Sequence, residues 1–266
     1  MRIVALALAL CTLAVPGHGD GLRALTLRQD ILGWEGVGRL DLGRDGYCTG
    51  ALIAPDLVLT AAHCLFDGAA PRRPEDIVFR AGDRSDDTIA ARGVVQAAVD
   101  DGYLAAGAET PERIAADVAL VKLDAAIPAG TARPFLIDPA PVGGVEVSVL
   151  SYGAGRDAVP SREAGCRLLG RQAAILAFDC DVTFGSSGAP VFRLEGDRIR
   201  IVSIVSSGHR GEQGSLAFGP VLDGKVAALT AALRSGRGLW EVAAPTARRL
   251  GPDAGRAAGG ARFLRP

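Results

Sequence analysis

The sequence predicts an all-β protein, a barrel or a sandwich. Two observations carry this. From Trp34 onward, short apolar runs alternate with Gly, Asp and Pro turns, the pattern of antiparallel strands joined by tight connections. Helical periodicity is convincing only over Val221 to Leu233, with Leu222, Val226, Leu229 and Leu233 on one face. The chain has 266 residues, room for one large β domain or two small ones that share a core.

The elements follow in order. Gly21 to Leu32 is mixed and matches no template. Val37 to Leu42 reads as a strand, with Leu40 and Leu42 alternating, and Arg44-Asp45-Gly46 as a turn. Tyr47 to Ile53 and Leu57 to Thr60 are strands split by the turn Ala54-Pro55-Asp56. Asp76 to Ala81 and Ile89 to Val99 are further strands, Asp101 to Ile114 a longer loop, and Asp117 to Leu123 an apolar strand headed by an acid. Pro134 to Pro141 reads as a linker. A second set of strands follows over Val145–Tyr152, Cys166–Leu169, Ala174–Phe178, Ala189–Leu194, Ile199–Ser206 and Leu216–Val221. The Ala-, Gly-, Pro- and Arg-rich stretch after the helix predicts a flexible tail.

Charge and composition exclude several classes. The formal charge is −1 and the pI about 6.3, without the basic stripe of a nucleic-acid binder. Met1-Arg2, then the apolar Ile3 to Val15, then Pro16 to Asp20 with small residues for cleavage, read as an export signal over 1–19. Removing it leaves Cys48, Cys64, Cys166 and Cys180, an even set in an exported chain, where disulfides form. Four cysteines allow three pairings. The near pairs Cys48–Cys64 and Cys166–Cys180 each close a short loop and are the expected ones. A zinc site is the rival reading, but Cys-x-x-Cys spacing is absent and the chain has only three histidines. No Asn occurs, so N-glycosylation is impossible.

Chemistry concentrates in three places. Gly185-Ser186-Ser187-Gly188 offers a turn whose glycines let backbone N–H groups converge beside an exposed hydroxyl. His63, in Thr60-Ala61-Ala62-His63-Cys64, follows a strand and precedes a candidate bridge that would fix its backbone, as a general base requires. Asp117, at the head of an apolar run, is a carboxylate that needs a partner once buried.

Taken in order, Thr60-Ala61-Ala62-His63-Cys64, Asp117-Val118-Ala119-Leu120 and Gly185-Ser186-Ser187-Gly188-Ala189-Pro190 resemble the three signatures of trypsin/chymotrypsin-type serine proteases. The version is similar to the bacterial branch that includes glutamyl-endopeptidase-like enzymes. The resemblance implies two packed six-stranded antiparallel β-barrels with the active site between them and a C-terminal helix. It divides the chain into a signal over 1–19, a first barrel over 20–136 with His63 and Asp117, a second over 137–236 with Ser187 and the helix, and a tail over 237–266. It implies that Ser187 is the nucleophile, His63 the base and Asp117 its orienter. The N–H groups of Gly185 and Ser187 would form the oxyanion hole. Ile204 to Gly208 resembles the strand that pairs with extended substrate. Ser206 would support Asp117, and Ser207 and Gly208 would bond the peptide backbone.

The expected function is an exported serine endopeptidase, periplasmic or extracellular, monomeric, acting on polypeptides with no cofactor or metal. It would have no nucleic-acid partner and no membrane attachment after signal removal. A protease-fold binding module without activity is the alternative. Two departures from the family matter. Ser186 stands where the family commonly has Asp, so an N-terminal ammonium is not expected to complete the site. Asp181, six residues before Ser187, matches the acid that selects Arg or Lys at P1. The usual pocket cysteine is absent, however, and Cys180 comes directly before Asp181, so an apolar P1 stays open. Val182 and Val205 stand where a Glu-selective pocket would carry polar groups.

Overall fold

The computed structural model describes residues 21–44, 46–85, 87–138, 143–196, 198–211 and 214–240. The first half holds β1 (Leu22–Ala24), β2 (Val37–Leu42), β3 (Tyr47–Ala54), β4 (Leu57–Thr60), the two-residue pieces β5 (Phe66–Asp67) and β6 (Ala70–Pro71), β7 (Ile77–Ala81), β8 (Ala90–Val99), the helix α1 (Pro111–Ala116) and β9 (Ala119–Leu123). The second half holds β10 (Leu136–Ile137), β11 (Glu146–Ser151), β12 (Ser161–Gln172), β13 (Ile175–Phe178), β14 (Pro190–Glu195), β15 (Arg198–Ile204), β16 (Ser207–Gly211), β17 (Gly214–Pro220) and α2 (Lys225–Arg234).

Strands β2-β3-β4-β9-β8-β7 close into a barrel, every pair antiparallel. Closure follows from the alternation read in the sequence. Leu40, Leu42, Leu52, Leu59, Phe79 and Leu120 all turn into one buried core. In the second half the hydrogen-bonded order is β15-β14-β11-β12-β13-β17, with β10 and β16 at the ends and β1 added to β12. The β15 and β17 ends of this six-strand path meet. Ser203 Oγ donates to the Pro220 carbonyl at 2.8 Å, and the Ser206 amide to the Phe218 carbonyl at 2.8 Å. Its own core includes Val147, Leu176, Phe178, Val191 and Val202. The chain is thus mostly β, with two antiparallel barrels and a C-terminal helix.

The barrels meet through aromatic rings. Trp34 stands edge-on to Phe192 at 5.1 Å, and Phe135 lies 4.7 Å from Phe192. Such pairs contribute about 0.5–1.5 kcal/mol each beyond burial. Helix α2 leaves the second barrel but packs on β8 and β9 of the first, with Leu229 and Leu233 buried and Lys225 Nζ 2.5 Å from Asp100.

Several expectations change. The stretch Gly21 to Leu32 forms β1 and a 3-10 turn at Arg28–Ile31, because β1 finds its partner in β12, far along the chain. The loop over Asp101 to Ile114 ends in α1, capped by the Thr110 hydroxyl with Pro111 in its first turn. Asp117 is therefore not the first strand residue. It caps α1, its amide bonded to the Ile114 carbonyl, and the strand begins at Ala119. Gly224 has φ +71° and starts α2 at Lys225, so the helix is shorter than the periodicity suggests. Of the tail set at 237–266, residues 237–240 are docked. The Leu239 amide bonds the Ala97 carbonyl at 2.6 Å, and Trp240 Nε1 bonds that of Arg72 at 2.8 Å. The rest of that tail, and the signal over 1–19, lie outside the described residues.

Candidate active site

The cleft between the barrels is lined by His63, Asp117, Ser187, Gly185, Asp181 and the segment Val205 to Gly208. The sequence marks all of these as site residues or their neighbours, and the fold brings them to one cavity. His63 lies in the 3-10 turn Ala62–Leu65 after β4. The Cys48–Cys64 disulfide ties that turn to β3. The Cys166–Cys180 disulfide joins β12 to the segment that leads into Asp181. Cys48, His63 and Cys64 lie close enough together to suggest a metal site. The two sulfurs are committed to each other, which leaves no thiolate for a metal.

Asp117 is buried, at 3 % exposure, and has three bonds. Oδ1 accepts the His63 amide at 2.8 Å, and Oδ2 meets His63 Nδ1 at 2.7 Å. Oδ2 also accepts from Ser206 Oγ at 2.6 Å. A carboxylate placed this way accepts the Nδ1–H of the imidazole and leaves Nε2 as the ring nitrogen for the cleft. Ser206 comes from the second barrel, so the relay spans the seam. Ser187 and His63 line the same cleft, and no hydrogen bond joins them among the described residues. Such contacts commonly tighten only once substrate is bound.

The turn that carries Ser187 needs its glycines. Gly185 has φ +85°, and a Cβ there would lie 2.3 Å from Tyr47 Cε2 and 2.4 Å from the Tyr152 carbonyl oxygen. Gly188 has φ +75°, and a Cβ there would lie 2.2 Å from Thr60 Oγ1. The Phe184 carbonyl accepts from the Ala154 amide at 2.7 Å. In a trans peptide the following N–H points the opposite way, so the Gly185 amide is directed away from Ala154. Ser186 is fully buried and uncharged, and its hydroxyl donates to Ser151 Oγ at 3.0 Å.

One residue that positions this turn is not marked by the sequence. Thr49, on β3 of the first barrel, is fully buried. Its hydroxyl donates to the Gly185 carbonyl at 2.8 Å and accepts the Tyr152 amide at 3.1 Å. Its own amide donates to the Ser187 carbonyl at 2.8 Å. The place of Thr49 beside Cys48 is the one signal that could have found it.

Strand β16 is the end strand of its sheet. One side of Ser207 and Gly208 pairs with Phe218 and Ala217, and no strand pairs with the other among the described residues. Asp181 is engaged. Its carboxylate pairs with Arg210 and accepts from Ser215 Oγ at 3.4 Å. Its amide donates to Glu163 Oε2 at 2.6 Å. Burial, with Asp181 and Asp179 nearby, pushes the Glu163 carboxyl up to about 7.

Two packed β-barrels with a serine, a histidine and a buried aspartate gathered in their seam define the chymotrypsin-like serine protease class. The trypsin-like peptidase domain family matches residues 48–201, more than half of the chain, and the chain belongs to that family. Among solved structures it is similar to a Glu endopeptidase in complex with MPD. The identity there is 20%, over 82% of this chain and 98% of that one, with a TM-score of 0.65. It is also similar to the protease Anisep from Arthrobacter nicotinovorans. There the identity is 16%, over 80% of this chain and 99% of that one, with a TM-score of 0.63. At such identities the likeness is one of fold. No curated protein matches.

Proposed function

We propose that this serine protease is an exported endopeptidase that works through an acyl-enzyme on Ser187. The observation that carries the reading is the buried Ser206–Asp117–His63 relay, which holds one imidazole in the cleft that also presents Ser187. Ser187 Oγ attacks the scissile carbonyl carbon while His63 Nε2 takes its proton. Charge develops on the carbonyl oxygen, where the Gly185 and Ser187 amides receive it. Asp117 stabilises the imidazolium, which then passes the proton to the departing amine as the C–N bond breaks. Water, activated by the same histidine, hydrolyses the ester. The substrate backbone pairs with Ser207 and Gly208 on the open side of β16.

Two disulfides are consistent with export. The buried Ser186–Ser151 hydroxyl pair supports a site formed without an N-terminal ammonium. The Arg/Lys preference is disfavoured, because a basic P1 side chain would have to displace Arg210 from Asp181. An ethyl fluorophosphonate probe tests the reading. It should label the folded protein at Ser187, and Ser187→Ala and His63→Ala should abolish labelling. Failure to label folded wild-type protein would leave a protease-fold binding module.

A further inference from the structure

In the acyl-enzyme proposed above, the carbonyl carbon of the acyl residue would be bonded to Ser187 Oγ, its oxygen would face the Gly185 amide, and its chain would run along Ser206 to Gly208. Its side chain would then meet two segments that line the cleft, Val182–Phe184 and Val205–Gly208. These segments touch. Gly208 lacks a side chain, yet the space beside its α-carbon is filled: a Cβ there would lie 2.3 Å from Val182 Cγ2. The Val182 methyl thus packs directly on the Gly208 backbone. Val205, on the same side, is buried at 3 % exposure. The Asp181 carboxylate, which lines the same cleft, is bound to Arg210 and Ser215, which face each other across the β16–β17 hairpin.

We propose that Val182, closed against Gly208, sets the P1 specificity of this enzyme and restricts it to small uncharged side chains of about alanine size. The inference rests on the protease reading above and gives it a substrate class. A long side chain would have to part Val182 from Gly208. A charged one would also meet the apolar Val182 and Val205, and the charge of Asp181 is already offset by Arg210. Removing the Val182 isopropyl group should open the slot.

The test uses the full chain, refolded or exported with its disulfides, and two kinds of probe. Ethyl fluorophosphonate reports whether Ser187 is reactive at all and does not use the slot. Peptidyl diphenyl phosphonates with Ala, Phe, Lys or Glu side chains at P1 report the slot through their inactivation rate constants. The Ala probe should react about tenfold or more faster than each of the others, the scale on which shape alone discriminates apolar groups. Val182→Gly should raise the Phe-to-Ala ratio by about tenfold or more, and Asp181→Asn should leave the wild-type ranking intact. A wild-type preference for Phe, Lys or Glu overturns the proposal, as does an unchanged ratio in folded Val182→Gly. If Val182→Gly does not fold, Val182→Ala takes its place, and an unchanged ratio there overturns the proposal equally. Fluorophosphonate silence in folded protein overturns the protease reading, and this inference with it. Labelling with the wrong ranking overturns the slot inference alone.

Discussion

Thr49→Val tests how the first barrel holds the Ser187 turn of the second. The substitution keeps the shape and removes one hydroxyl. That hydroxyl makes two bonds, one to the part-buried Gly185 carbonyl and one from the buried Tyr152 amide. Thr49 and Tyr152 are fully buried, so water cannot take the place of the hydroxyl at the Tyr152 amide, whereas the Gly185 carbonyl borders the cleft. A buried polar group left without its partner costs about 1–3 kcal/mol, and the Tyr152 amide sets that cost here. Thr49→Ser keeps the hydroxyl and loses one methyl, at about 1 kcal/mol. Activity should follow the same order. With the Gly185 carbonyl released, the turn that places the proposed Gly185 and Ser187 donors loses an anchor to the first barrel, and misplacing one donor lowers kcat by about 10²–10³. Urea unfolding read by tryptophan fluorescence gives the first quantity, and peptide hydrolysis gives the second. The reasoning is refuted if Thr49→Val unfolds at the same urea concentration as Thr49→Ser and turns over substrate at the same rate.

Two further outcomes are expected. Asp117→Asn should retain the fold and lower kcat by about 10³–10⁴, because the amide no longer holds the productive imidazole tautomer; a loss below tenfold in peptide hydrolysis would contradict the assigned relay. Glu163 gives a pH signature. Its carboxyl is raised from 4.5 to about 7 in the folded chain, so the folded state binds the extra proton between those values and the unfolded state does not. This contribution to stability is therefore full in acid and is lost as pH rises toward 7. The melting temperature of Glu163→Gln relative to wild type should climb across that window and level off above it. A difference that stays flat from pH 4 to 8 would show that Glu163 ionises normally.

Much of this molecule could be read from its residues, for a physical reason. The strands of the first barrel are short runs of Val, Leu and Ile broken by Gly, Asp and Pro, and alternation is a local property. His63, Asp117 and Ser187 stand in local sequence contexts that state their chemistry. Contacts over long distances were not legible. Thr49 meets Gly185 across 136 positions, and nothing in Cys48-Thr49-Gly50 announces the partner. Strand β1 has no pattern of its own, since its ladder belongs to β12. Asp181 illustrates the same limit. Its spacing from Ser187 suggests a specificity charge, but the role depends on Arg210 and on the packing of Val182 on Gly208. Helix α1 is different: Thr110-Pro111-Glu112 is a local start signal that the surrounding loop composition obscures.

The ends of the described chain cross over. β1 precedes the first barrel yet is a strand of the second, and α2 with Trp240 follows the second barrel yet lies on the first. Each half is clasped by a segment that belongs in sequence to the other side, like two hands each holding the opposite wrist. Pulling the halves apart would require both clasps to let go, together with the aromatic contact at Phe192. His63 and Ser187 sit on opposite halves, so their alignment inherits the stiffness of this double grip rather than of either half alone.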